Sequence, residues 1–152
     1  MPIQKLPSGT RGGGTPPRWV AKTIMPLMTW IHRRSGDKFG GMELLYLSTL
    51  GARSGQRRTH PVARFDDGDS WIIVASAAGA VTHPAWYHNI VAHPDDVSVE
   101  VSGTKHRVQV EQLEGEARDR AWELVTDKAP RFKDYLTKTD RPLPVLRLTP
   151  LP

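Results

Sequence analysis

The spacing of apolar residues changes along this chain, and the changes predict its elements. Trp19, Val20, Ile24, Leu27, Met28 and Ile31 recur at helical spacing. Thr15 supplies an N-cap, Pro16 and Pro17 suit the first turn, Pro26 predicts a kink and Gly36 a stop. From Met42 the pattern turns strand-like. Residues 42–50, 57–65 and 70–76 predict three strands, separated by a turn over residues 51–56 and by Asp66-Asp67-Gly68-Asp69. Residues 77–83 form a small-residue loop. Pro84 opens a short helix over residues 85–92, and His93-Pro94-Asp95 ends it. Val97, Val99 and Val101 alternate with polar residues, as do Val108 and Val110 beyond Ser102-Gly103-Thr104, which predicts a half-buried hairpin. Residues 114–129 form an amphipathic helix with Ala117, Ala121, Trp122, Leu124 and Val125 on one side. A short helical turn over residues 132–136 and a last strand over 143–148 complete the chain. About six mostly antiparallel strands, with an N-terminal helix and inserted helices, predict an α+β fold built on a small barrel.

The chain's 152 residues suffice for one domain with its own core. Residues 1–15, with Gly12, Gly13 and Gly14 in a row, predict a flexible leader, and residues 16–152 a single domain. Cysteine is absent, which excludes disulfides, thiolate metal sites and thiol catalysis. The first residues lack the apolar core of a secretory signal, and the apolar run over residues 19–31 is too short to span a bilayer and contains Lys22 and Pro26. A cytoplasmic location is therefore expected.

The net charge of +5 is unevenly placed. Residues 1–64 carry a net +9 and residues 65–152 a net −4. Such polarity suits an anionic small molecule, a membrane or a nucleic acid. The 11 aromatic residues do not interleave with the basic ones as a nucleic-acid stacking surface requires, so nucleic acid is not an expected partner.

Two segments are candidates for binding. Gly51-Ala52-Arg53-Ser54-Gly55-Gln56-Arg57-Arg58 sets small and basic residues in a turn whose N–H groups can cup an anion and whose arginines can fork onto phosphate; it reads equally as a hairpin turn with solvated arginines. Ser76-Ala77-Ala78-Gly79, followed by His83-Pro84-Ala85-Trp86-Tyr87-His88-Asn89, lets a flat ring approach the backbone, or is a structural loop with Trp86 in the core. His83, His88 and His93 are five apart, which puts them on different helix faces, and no metal site is expected. No nucleophilic triad is evident. Phe132-Lys133-Asp134-Tyr135 offers helix packing or a pocket wall with a phenol donor.

In this order, and with Thr139-Asp140-Arg141-Pro142 after them, these pieces resemble the deazaflavin-dependent nitroreductase family of actinobacteria, over residues 18–149. The resemblance implies a split β-barrel and the use of coenzyme F420, a 5-deazaflavin with a phosphate-containing oligoglutamate tail. It implies that Arg53, Ser54, Gly55 and Arg58 hold the tail, and that Ser76, Ala77, Ala78 and Gly79 lie along the deazaflavin. Trp86, Tyr87 and Asn89 would lie at or near the cofactor. Tyr135 would reach the substrate side, and Ser76 or Tyr135 would stabilise or protonate an oxygen that gains charge as hydride arrives. Two positions depart from the family pattern. Ala77 stands where many members carry Lys, and Phe132 where a phenol is common. Loss of that donor favours a quinone-like acceptor over nitroimidazoles. The alternative is a non-enzymatic carrier of F420 or flavin. Since quinones reside in membranes, the helix over residues 19–31, flanked by Lys22, Arg33 and Arg34, is a candidate for peripheral membrane contact or for packing on the barrel.

Overall fold

The computed structural model describes residues 3–12, 38, 39 and 42–152. The helix expected over residues 19–31, with Lys22, Arg33 and Arg34, lies outside the described residues. Eight strands occur among the described residues: β1 (Lys38–Phe39), β2 (Met42–Leu50), β3 (Arg57–Ala63), β4 (Phe65–Asp67), β5 (Ser70–Val74), β6 (Ser98–Val101), β7 (Thr104–Gln112) and β8 (Val145–Pro150). Three α-helices accompany them: α1 (Ala85–Ala92), α2 (Gly115–Lys128) and α3 (Arg131–Lys138). All strand pairs are antiparallel, in the order β1-β2-β6-β7-β8-β5-β4 with β3 on β2. This curled sheet with its helices is an α+β, split-barrel-like arrangement.

The strand number corrects the expected six. One reason is the two-residue β1. The other is Arg64, which divides the strand expected over residues 57–65 between two parts of the sheet. Before it β3 pairs with β2, and after it β4 pairs with β5. The Arg64 N–H donates to the Glu43 carbonyl at 2.9 Å, its Nε donates to the Leu44 carbonyl at 3.1 Å, and its guanidinium pairs with Glu43 and Asp66. These bonds hold the corner. The turn expected at residues 132–136 is the two-turn helix α3.

Alternation along the strands makes two cores. Leu45, Leu47, Ile73, Ala75, Val99, Val108, Val110, Leu146 and Leu148 face the inside of the curl, where Trp86, Tyr87 and Ile90 of α1 fill it. Ile72, Val74 and Val145 face the other way, against Ala121 and Val125 of α2, Phe132 of α3, Phe65 and Leu143. β5 is thus covered on both faces, which explains its nearly unbroken apolar sequence, and β8 is so covered only at its start, by Val145 and Leu146. None of the described helices is long and apolar enough to cross a membrane.

Residues 3–12, within the stretch expected to be a flexible leader, run along the barrel as a strap. Ile3 joins the inner core. The Gln4 carbonyl accepts from Gln112 Nε2 at 2.9 Å, and the Gly9 N–H donates to the Val81 carbonyl at 2.9 Å. The strap is held because its backbone groups find partners on the barrel.

Ile73 is fully buried in the inner core. Ile73→Ala is expected to cost about 3 kcal/mol of unfolding free energy, within the range for emptying such a site, measured by urea denaturation.

Candidate active site

The turn between β2 and β3 is closed by its own backbone. The Gly51 N–H donates to the Gln56 carbonyl at 2.8 Å and the Gly55 N–H to the Gly51 carbonyl at 2.9 Å. Gly55 has φ +68, a left-handed conformation that favours glycine. Ser54 Oγ accepts the Gln56 N–H at 3.2 Å, so this hydroxyl helps to shape the turn. Arg53 and Arg58 are exposed on the resulting platform, and Arg58 Nη2 donates to Gln56 Oε1 at 3.2 Å.

Asn89 carries the turn on α1. Its Oδ1 accepts the Ala52 N–H at 2.9 Å, and its Nδ2 donates to Thr49 Oγ1 at 3.1 Å. The Asn89 amide is therefore committed to placing the turn. Trp86 and Tyr87, also expected near the cofactor, pack into the inner core. The Tyr87 hydroxyl donates to Gln112 Oε1 at 2.7 Å and accepts the Leu6 N–H at 3.0 Å. Burial raises the phenol's pKa, against a lowering by the Leu6 amide.

The second piece is the loop after β5. Ala77 (φ +46), Ala78 (φ +53) and Gly79 (φ +80) are all left-handed. For alanine this conformation costs on the order of 1–2 kcal/mol per residue, so the surroundings must impose it. Arg141 does so. Its side chain is buried, with the residue 2% exposed. Nη1 donates to the Ala75 carbonyl at 2.9 Å, Nη2 to the Ser76 carbonyl at 2.5 Å and Nε to the Ala80 carbonyl at 2.9 Å. Nη1 also lies 2.6 Å from His83 Nδ1.

That contact fixes the state of His83. Its Nε2 lies 2.9 Å from the Leu6 carbonyl and 3.0 Å from the Pro7 carbonyl, which can only accept, so Nε2 carries the proton and Nδ1 accepts from Arg141. Burial holds the imidazole below its ordinary pKa. The two carbonyls pull it up in part, and Arg141 and Lys5 push it further down.

Asp140 is the strap's other anchor. Its carboxylate accepts from the Thr10 and Arg11 N–H groups, each at 2.8 Å, and from the Thr10 hydroxyl. These bonds, that of the hydroxyl foremost, lower its pKa from 3.8 to about 2. Thr139 Oγ1 donates to the Arg11 carbonyl at 2.5 Å.

Strap, loop and α3 meet at Gly79. A Cβ there would lie 3.0 Å from Lys138 Cβ and 3.6 Å from the Tyr135 carbonyl. On the strap side, a Cβ on Gly12 would lie 2.6 Å from the Gly79 carbonyl. Glycine at position 79 thus lets α3, with the half-buried Tyr135, sit directly on the loop. The Tyr135 ring packs edge-on to Phe132 at 5.2 Å, with Lys138 Nζ 5.8 Å from its centre. Two surface grooves, one lined by Pro94, Arg107 and Leu151 and the other by Asp67, Arg120 and Leu124, share no residue with these pieces. No cluster of possible metal ligands occurs among the described residues.

The structure therefore joins the two predicted segments through α1, with Asn89 at the basic turn and His83 before its start. Sequence reasoning missed the buried roles of His83 and Arg141 and the part of the exposed Asp140 in anchoring the strap. An arginine before Pro142 carries no local signal of burial.

The F420H(2)-dependent quinone reductase family model matches residues 25–150. The chain belongs to this family. An F420H(2)-dependent quinone reductase of Mycobacterium tuberculosis, Rv1261c, is 37% identical over 140 residues, covering 87% of this chain and 93% of that protein. A solved F420-H2 dependent reductase, FDR-A, is 36% identical with a TM-score of 0.63, covering 69% of this chain and 92% of the other. A domain-swapped dimer is 30% identical with a TM-score of 0.65, covering 88% and 99%. Like its family, this chain is an F420-dependent oxidoreductase, and F420 is its cofactor. The residues suit that group. The loop offers a face of small side chains, Ser76 half-buried and Ala78 exposed, and the closed turn presents exposed arginines to an anionic tail.

The sign of the His83 shift gives a pH dependence. Its folded pKa lies below the unfolded 6.5, so its contribution to stability is full above pH 6.5 and is lost as pH falls through the folded value. His60 and His88, also lowered by burial first, add in the same direction. Melting temperature is expected to fall below pH 6.5, and His83→Gln to remove part of that slope. Thermal melts of both proteins between pH 5 and 8 measure the difference.

Proposed function

We propose that this chain passes hydride from reduced F420 to a quinone-like acceptor at the loop between β5 and α1. When bound, reduced F420 supplies the hydride. The chain's own residues then position, desolvate and polarise. Arg53 and Arg58, on the turn shaped by Ser54 and Gly55, hold the phosphate and carboxylates of the tail through charge-assisted bonds. Ser76, Ala77, Ala78 and Gly79 line the deazaflavin. Asn89 serves the cofactor by fixing the turn, and Trp86 and Tyr87 by fixing α1. Tyr135 donates a hydrogen bond to the acceptor oxygen that gains charge, with the Ser76 hydroxyl as second donor. The observation that carries this reading is the seating of α3 on Gly79, which brings the helix of Tyr135 against the loop of Ser76. It favours turnover over mere carriage, because a carrier has no need of a donor beside the ring.

The proposal includes a cytoplasmic location and peripheral contact with an anionic membrane through residues 19–31, supported by their apolar pattern and flanking basic residues.

Arg53→Ala is expected to weaken F420 binding about tenfold with little change in kcat, since it removes a contact made in ground and transition states alike. Tyr135→Phe is expected to lower kcat about tenfold or more, as for loss of a transition-state donor, with F420 affinity unchanged. Fluorescence titration with F420 and steady-state assays with a quinone panel separate the two. Wild-type behaviour in both variants would refute these roles.

A further inference from the structure

The carbonyls of Ala75 and Ser76 both point at the Arg141 guanidinium. A trans peptide is planar, with its C=O and N–H on opposite sides. The Ser76 and Ala77 N–H groups, which share those peptides, therefore point away from Arg141. Neither donates a hydrogen bond to any described residue, nor does the Ala78 N–H that follows, whereas the Gly79 N–H bonds the Ser76 carbonyl at 2.9 Å and the Ala80 N–H the Ala77 carbonyl at 3.0 Å. Two adjacent backbone donors thus project from a loop whose left-handed residues Ala77 and Ala78 hold them there. Behind them lies a cation with no carboxylate partner among the described residues. Backbone donors arranged in this way favour an electron-rich acceptor.

We infer that Arg141 is a positioning residue of the reductase. It turns the Ser76 and Ala77 N–H groups outward as a donor pair for the oxygen-bearing edge of the deazaflavin ring. The inference rests on the proposed placement of the deazaflavin along this loop. The fork is essential, since three carbonyls are reached from three different nitrogens, Nε, Nη1 and Nη2. A lysine keeps the charge and loses that geometry.

The first test is amide hydrogen exchange of the wild-type protein with and without F420, and with the deazaflavin riboside that lacks phosphate and glutamates. Protection of the Ser76 and Ala77 amides by both ligands is expected. Protection confined to the turn of residues 51–58 would overturn the inference. The second test is fluorescence titration of Arg141→Lys. Its affinity for both ligands is expected to fall by the same factor, about tenfold or more, as for loss of a bidentate charged contact, whereas Arg53→Ala loses affinity for F420 alone. In turnover, Arg141→Lys is expected to raise KM for reduced F420 and to leave kcat within about threefold, the pattern of lost uniform binding. A folded Arg141→Lys with wild-type affinities refutes the assignment. If the variant does not fold, the exchange result on the wild type decides. Wild-type protein that binds neither ligand overturns the placement of the cofactor as well, whereas binding without protection at Ser76 and Ala77 overturns the role of Arg141 alone.

Discussion

A buried guanidinium with no carboxylate beside it among the described residues is the constraint around which this molecule is arranged. Taking such an ion out of water costs several kcal/mol. Only partners in fixed directions offset that cost, and Arg141 finds them in the Ala75, Ser76 and Ala80 carbonyls and in His83 Nδ1. Each bond from a charged donor returns about 1.5–3 kcal/mol, so the set offsets the burial only if all its members stay in place. The loop is thereby tied to one conformation, including two left-handed alanines that local preference resists. The same cation requires a neutral His83, whose other nitrogen reaches the strap. Loop, α1 and strap are in this way parts of one hydrogen-bonded unit.

The barrel's part is to hold that unit still. α1 is fixed in the inner core by Trp86, Tyr87 and Ile90. Asn89 then places the basic turn, and His83, ahead of α1, meets the loop. Two segments some twenty residues apart in sequence thus share one rigid support. The outer core does the same for α3, through Phe132 against Phe65, and so seats Tyr135 over Gly79. Because β5 is packed on both faces, movement of either helix would disturb a core, which favours a preorganised site over one assembled on binding.

Local signals were legible in the sequence. The bounds of β2 and α1 follow from apolar spacing, turn residues and Pro84, all read within a few positions. What depends on distant partners was not legible. The division of β3 from β4 at Arg64 reflects which strand each meets, β2 or β5, and nothing in residues 57–65 announces it. Arg141 reads as one more surface arginine until the carbonyls 60 and more positions earlier are placed around it. The strap reads as a glycine-rich tail because its anchors, Asp140 and Gln112, are more than 100 residues away. Of the candidate site, the basic turn and the small-residue loop were visible as motifs. Their junction through Asn89 and His83 was not.

Phe132 bears on the choice of acceptor. It departs from a pattern in which a phenol is common, and its ring is buried, 4% exposed, edge-on to Phe65 at 5.6 Å. A hydroxyl on that ring would need a partner within an apolar cluster or a path to the site, and a buried polar group without one is costly. Phenylalanine relieves the demand and removes a donor. On the proposed placement of the ring, the donors beside the loop are Ser76, Tyr135 and the outward backbone amides, and no cluster of possible metal ligands occurs among the described residues. Such a set can steady one oxygen that gains charge and cannot drive demanding acid–base chemistry. A quinone asks for no more, because delocalisation over the ring stabilises much of the charge that hydride brings. On the proposed placement, the sparse polar equipment matches an acceptor that carries its own electron sink.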